Sequence, residues 1–249
     1  MASYSKEFYD EMKDTNLSSA RKVSKLVIDM VSPRSIVDIG CGTGIWLKAF
    51  SEKGVKEIYG YDGSWVKEEM LVIPKERFEA RDLERPIDNV RRSDLAVCLE
   101  VAEHLPRDKA HVLVDNLTKA SPVILFSAAI PMQGGSHHVN EQWPDYWEAL
   151  FSKKGYVPVD CIRRRVWNEP DVSFFYAQNI LMYVDGSKID AYPQLKKERE
   201  SGHDKAISLV HPYMYTYYAE RWRTIVPILG RLPPSWLHMA KRILSKLRK

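Results

Sequence analysis

Apolar residues recur along the chain in two rhythms. Up to Val31, Leu17, Ala20, Val23, Leu26, Val27 and Met30 fall near helical spacing, which predicts one or two N-terminal helices closed by Pro33. From Ser35 onward, short apolar runs alternate with amphipathic stretches. The runs are SIVDIG (35–40), EIYGYD (57–62), RFEARD (77–82), DLAVCLEV (94–101) and PVILFSAAI (122–130). Between them, IWLKAFSEKG (45–54) and PRDKAHVLVDNLTKAS (106–121) read as helices, with Pro106 suited to a first turn. WPDYWEALFSKKGY (143–156) predicts a helix ending at Gly155, and VPVDCIR (157–163) and AQNILMYV (177–184) predict a closing pair of strands. Seven strands alternating with helices imply an α/β fold. We expect a doubly wound, mostly parallel seven-stranded sheet with N-terminal helices, which takes ligands at the strands' carboxyl ends.

After about Asp185 the rhythm changes. A polar stretch gives way to the Tyr-rich HPYMYTYYAERW (211–222), then to the proline-punctuated PILGRLPPSW (227–236). In WLHMAKRILSKLRK (236–249), Trp236, Met239, Ala240, Ile243 and Leu247 share one helical face, with five basic residues elsewhere. This divides the chain into an α/β domain over 1–184 and a helical C-terminal extension over 185–249 with a basic amphipathic final helix. That helix suits packing on its own protein, or contact with a partner or an anionic membrane surface.

Charge sharpens the division. The chain carries +4, but residues 185–249 hold 13 Lys/Arg against 6 Asp/Glu, a net of +7, so residues 1–184 carry −3. A mildly acidic body argues against a long nucleic acid as partner. The start, MASYSKEFYDEMKD, lacks the apolar core of a signal peptide, and no stretch nears the roughly 20 apolar residues of a membrane span. Cys41, Cys98 and Cys161 are odd in number and far apart, which reads as buried thiols in a reducing compartment. A cytoplasmic protein is expected.

Two places carry candidate chemistry. VDIGCGTG sets Asp38, Gly40, Gly42 and Gly44 at the end of the first strand and the start of a helix, where glycines let the backbone approach a ligand. Asp62 follows at the end of the second strand, placed to accept both hydroxyls of a ribose. This spacing admits a dinucleotide or S-adenosylmethionine (SAM). The second place is the loop after the fifth strand, QGGSHHVNEQW (133–143), which spends seven polar or ionisable side chains at the expected ligand edge. These suit turn and cap roles, a structural histidine, or a reactive one, since a neutral histidine of ordinary pKa near 6.5 can take a proton from a hydroxyl.

VDIGCGTG, Asp62, RDL (81–83) and LEVAEHLP (99–106), in this order over residues 35–130, resemble the motifs of class I SAM-dependent methyltransferases. The resemblance implies that the Gly40–Gly44 loop cradles the methionine portion of SAM, Asp62 binds its ribose, and Asp82 and Leu83 flank its adenine, with Asp38 and Glu100 nearby. SARKV (19–23), GIWL (44–47), FSAAIPMQGG (126–135), HVNEQWP (138–144) and AQN (177–179) further resemble a bacterial subgroup associated with surface-glycan and capsule biosynthesis. The tail resembles nothing we can place.

Glu100, Glu103 and His104 form the pattern E-x-x-E-H, whose oxygen and imidazole donors suit Mg²⁺ or Mn²⁺. Ubiquinone-pathway and small-RNA 2′-O-methyltransferases hold a divalent metal in a similar pattern, the latter with a loop histidine matched here by His138 or His137. Many metal-free relatives carry E-H-x-P with the glutamate near SAM and the histidine fixing a loop. His138, with His137 as neighbour, is the candidate base or metal ligand, while Trp143 and Trp147 are expected to pack. The resemblance therefore implies a SAM-dependent O-methyltransferase acting on a small polar acceptor such as a sugar or nucleotide-activated glycan precursor. The alternatives are a metal-dependent RNA or nucleotide 2′-O-methyltransferase and a non-catalytic scaffold docking through its basic tail.

Overall fold

The computed structural model describes residues 6–202 and 206–229. The predicted helix carrying Trp236 to Leu247 lies outside the described residues. The chain divides into two compact units, residues 1–209 and 210–249. Within the first, helix α1 (Lys6–Val31) is one continuous helix and precedes a seven-stranded sheet. The strands are β1 (Ser35–Ile39), β2 (Glu57–Asp62), β3 (Phe78–Ala80), β4 (Leu95–Leu99), β5 (Val123–Ser127), β6 (Tyr156–Val159) and β7 (Leu181–Asp185). Their order is β3-β2-β1-β4-β5-β7-β6. The first five pair in parallel, and β7 runs antiparallel between β5 and β6.

The strands read as continuous apolar runs because helices cover both faces. Alternate residues serve opposite layers. Ile36, Leu95 and Val97 pack in the layer that holds Ala20, Val23 and Val27 of α1 and Leu47 and Phe50 of α2 (Ile45–Glu52). Val37, Ile39, Ala96 and Cys98 pack in the other, with Leu113 and Leu117 of α3 (Ala110–Ala120) and Trp147 and Phe151 of α4 (Pro144–Ser152). Trp147 packs as expected, against Phe126, whereas Trp143, also expected to pack, is exposed at the N-cap position of α4. All three cysteines are buried and free.

Most predicted strands are trimmed at their ends, and two are cut back by buried polar side chains. β6 stops at Val159, because Asp160 and Arg163 turn inward as a buried ion pair and the chain enters the short helix α5 (Arg163–Val166). Ala177, Gln178 and Asn179 end helix α6 (Phe174–Asn179) instead of opening β7, since both amides bond side chains at the sheet's carboxyl edge rather than a strand ladder. After β7, a 3-10 segment and α7 (Pro193–Glu200) complete the first unit. The described part of the second contains α8 (Pro212–Leu229), with Tyr213, Tyr215 and Tyr217 exposed. Among the described residues, no helix is long and apolar enough to cross a membrane.

Candidate active site

The parallel strands end on one edge, and β1 leads there into the glycine loop. The N–H groups of Gly40 and Cys41 both donate to the Tyr61 carbonyl, at 2.8 and 3.1 Å, fixing the turn against β2. Gly40 has φ +89°, and a Cβ there would lie 2.4 Å from Val101 Cγ2, so the turn closes only on glycine. Gly44, also left-handed, caps α2. At the end of β2, Asp62 Oδ2 accepts the Gly42 N–H at 2.7 Å and Oδ1 accepts that of Gly63 at 2.6 Å. Burial raises its pKa to about 6. The Trp65 side chain also favours the charged form, and with about four acceptor sites the carboxylate keeps capacity for hydroxyl donors.

These elements wall a cavity of about 420 Å³, inside the roughly 300–1,000 Å³ range of small-molecule sites. Gly40, Gly42, Asp62, Leu83, Glu100 and His138 all line it. Asp38 does not: it is buried within β1, where desolvation and the nearby Asp62 charge hold its carboxyl well above the usual range. Asp82 also stands apart, exposed, accepting the Glu84 N–H at 3.0 Å and pairing with Arg85 at 3.2 Å. An unanticipated wall residue is Asn16 of α1, whose Oδ1 is buried without a hydrogen-bond donor. Its only sequence signal is position, since it precedes Ala20, Val23 and Val27 on one helical stripe.

After β4, Glu100 takes a left-handed φ of +54°, and its N–H meets both the carbonyl and the hydroxyl of Ser127 at 3.1 Å. Its carboxylate accepts from Gln133 Nε2 at 3.0 Å and from Asn179 Nδ2 at 3.1 Å. Gln133 Oε1 in turn accepts from Asn179 at 2.8 Å and Gln178 at 3.2 Å. Desolvation raises the Glu100 pKa against these bonds. Glu100 is thus the centre of an amide clamp, and it also neighbours Glu103 of the group formed by the other candidate ligands.

That group is Glu103, His104 and His138, with one donor atom from each lying within 4.8 Å of the others. Glu103 is fully buried and neither carboxyl oxygen has a donor at hydrogen-bonding geometry; burial, then the Glu100 charge, pushes its pKa well up. Desolvation lowers the His104 pKa to about 4, so this ring is neutral at physiological pH. It meets the His138 ring edge to face at 4.8 Å. His138 Nδ1 lies 2.9 Å from Glu141 Oε1, and the Glu141 carboxylate also accepts the N–H groups of Gly134 and Met132, each at 2.8 Å. An acceptor so engaged makes Nδ1 the donor and leaves the lone pair on Nε2. Gly135 is required beside it, because a Cβ there would fall 2.3 Å from Nε2. His137 is exposed with φ +61°, contributing its carbonyl, 3.4 Å from His104 Nδ1. The polar burst of the sequence is therefore built around Glu141, which reads as a mere turn residue there and here orients the histidine.

A methyltransferase domain family matches residues 13–156. Ribosomal protein L11 methyltransferase of Thermoanaerobacter pseudethanolicus is 35% identical over 104 residues. The match covers 41% of this chain and 30% of that enzyme, so less than a third of the relative's length is spanned. Among solved structures, the sugar N-methyltransferase KedS8 of a Streptoalloteichus species superposes with a TM-score of 0.55 at 13% identity, covering 74% of this chain and 94% of that one. Human N-acetylserotonin methyltransferase, in complex with SAM, gives 0.53 at 15% identity, covering 73% and 55%. At these identities the likeness is one of fold.

Proposed function

Since the chain belongs to the methyltransferase domain family, we propose that it moves a methyl group from SAM to a hydroxyl of a small polar acceptor, a sugar or nucleotide-activated glycan precursor. SAM, when bound, supplies a sulfonium methyl whose S–C bond breaks as the C–O bond forms, and the hydroxyl proton must leave. The cavity suits such a donor: glycine backbone on one wall, Asp62 with acceptor sites to spare, and apolar Leu83. The observation that carries the reading is His138, whose Nδ1–Glu141 bond leaves the Nε2 lone pair free on the wall of the same cavity. It takes the acceptor's proton while Glu141 steadies the resulting imidazolium. The glycan class rests on the resemblance of residues 126–144 to bacterial surface-glycan enzymes.

Mass-spectrometric screening of SAM consumption against sugar nucleotides tests the proposal. His138→Ala is expected to lower turnover about 10²–10⁴-fold with unchanged SAM affinity. Full turnover in that variant would remove His138 from the chemistry.

One observation favours a second role for the same group. Glu103, without a donor and beside two histidine rings, fits a divalent cation, which would be Mg²⁺ or Mn²⁺ held by Glu103, His104 and His138. A cation there would acidify the acceptor hydroxyl. Turnover abolished by a chelator and restored by Mn²⁺ or Mg²⁺ assigns His138 to the ion. Turnover indifferent to chelator, and unchanged in Glu103→Ala, assigns it to the proton alone.

A further inference from the structure

One group in the cavity wall has no part in the chemistry above. Asn16 Oδ1 is buried, faces no donor, and belongs to a residue lining the cavity. An unpaired buried amide oxygen weakens the free protein, so its natural complement is a donor carried in by the ligand. The chain places this oxygen by packing. Arg21 of α1 pairs with Glu52 near the end of α2, and Asn16, five positions earlier, lines the same cavity as Trp46 at the start of α2. Trp46 Nε1 donates to Tyr176 Oη at 3.4 Å, and the two rings meet edge to face at 5.0 Å. Tyr176 and Phe175 extend this wall, and no described Lys or Arg lines the cavity.

The cavity walled by the glycine loop therefore also offers an acceptor oxygen and aromatic rings, with no described lysine or arginine to compete. Such surroundings receive a small ammonium ion: the oxygen takes one N–H, and aromatic faces attract the charge. We propose that Asn16 is a donor-binding residue that accepts a hydrogen bond from the α-ammonium of the methionine moiety of SAM. The inference rests on the methyl-donor reading above and extends it to α1, which no glycine motif includes. It makes the N-terminal helix a specificity element, separating ligands with an amino-acid arm from bare adenosine thioethers.

Calorimetric titration of the full chain with SAM, S-adenosylhomocysteine and methylthioadenosine tests it. Methylthioadenosine keeps the adenosine and loses the amino-acid arm. Asn16→Leu is expected to weaken SAM and S-adenosylhomocysteine roughly ten- to a hundredfold while methylthioadenosine changes less than about twofold. Asn16→Asp keeps acceptor oxygens and adds negative charge, so SAM binds at least as tightly as to the native chain. Without ligand, Asn16→Leu melts at the native temperature or above, because it removes an unpaired acceptor from an apolar stripe. Equal SAM binding by the native and Leu chains overturns the proposal. A parallel loss of methylthioadenosine affinity with a lower melting temperature also does so, by showing a structural role. Weaker SAM binding by Asn16→Asp does so too, by placing the amide NH₂ against the ligand carboxylate. A native chain that binds none of the three ligands overturns the methyl-donor reading itself.

Discussion

On the proposed reading, Asp62 has to be both buried and charged to hold a ribose, and that conflict makes it the pH-sensitive point of the proposed donor site. Desolvation lifts its pKa to about 6, against two backbone N–H groups that favour the charged form. Because the folded pKa lies above the unfolded one, the folded chain holds a proton here that the unfolded chain has lost between about pH 4 and 6. The contribution of Asp62 to stability therefore falls as pH rises through that window. Donor binding runs the other way, since only the carboxylate accepts two hydroxyls without giving up the Gly42 bond. SAM affinity is expected to drop about tenfold from pH 7 to pH 5, as the ionised fraction falls, and titrations of Asp62→Asn should lack this dependence. The acid at the end of β2 was legible from its spacing to the glycines. Its bond to Gly42 was not, because it joins residues 20 positions apart through a loop whose path no local pattern dictates. Asn16 and Glu141 were illegible for the same reason: each matters through what it faces, and short polar side chains look alike in a sequence.

Among elements, the parallel strands were easiest to read, since burial on both faces writes a continuous apolar run. The region after α4 was harder, because polar residues there serve buried networks. Arg163 shows why. Its guanidinium pairs with Asp160 at 2.9 and 2.7 Å, with both side chains essentially inaccessible, and also donates to the carbonyls of Gln178 at 3.2 Å and Ile207 at 2.6 Å. One side chain thus ties the end of β6, the end of α6 and the segment after residue 206, and in doing so holds the backbone that aims Asn179 at Glu100 and Gln178 at Gln133. Breaking the pair leaves a buried charge alone. Arg163→Met or Asp160→Asn is expected to cost about 3–5 kcal/mol in urea unfolding, and the Asp160→Leu/Arg163→Met double variant to recover part of the loss. Recovery of nothing would show that the two carbonyl bonds, rather than the ion pair, carry the tie.

On the scale of the molecule, the cavity, the amide clamp and the His138 group all belong to the first unit, residues 1–209. A chain ended after Leu209 is accordingly expected to keep SAM affinity within about twofold of the full chain. A tenfold loss by calorimetry would give the second unit a part in donor binding. The basic surplus of residues 185–249, net +7 against −3 for the rest, then concerns something other than the donor. The clamp has a further consequence, for the order in which the site is born. Because β7 runs antiparallel, the chain enters it from the ligand edge, and Asn179 reaches Glu100 across 79 residues. As a ribosome issues the chain, the glycine loop, Asp62 and Glu100 emerge long before the amide that restrains Glu100 exists. A nascent chain stalled ahead of α6 carries every glycine of the motif and still lacks the residues that finish the pocket, so on the proposed reading the ability to hold the methyl donor arrives late in synthesis.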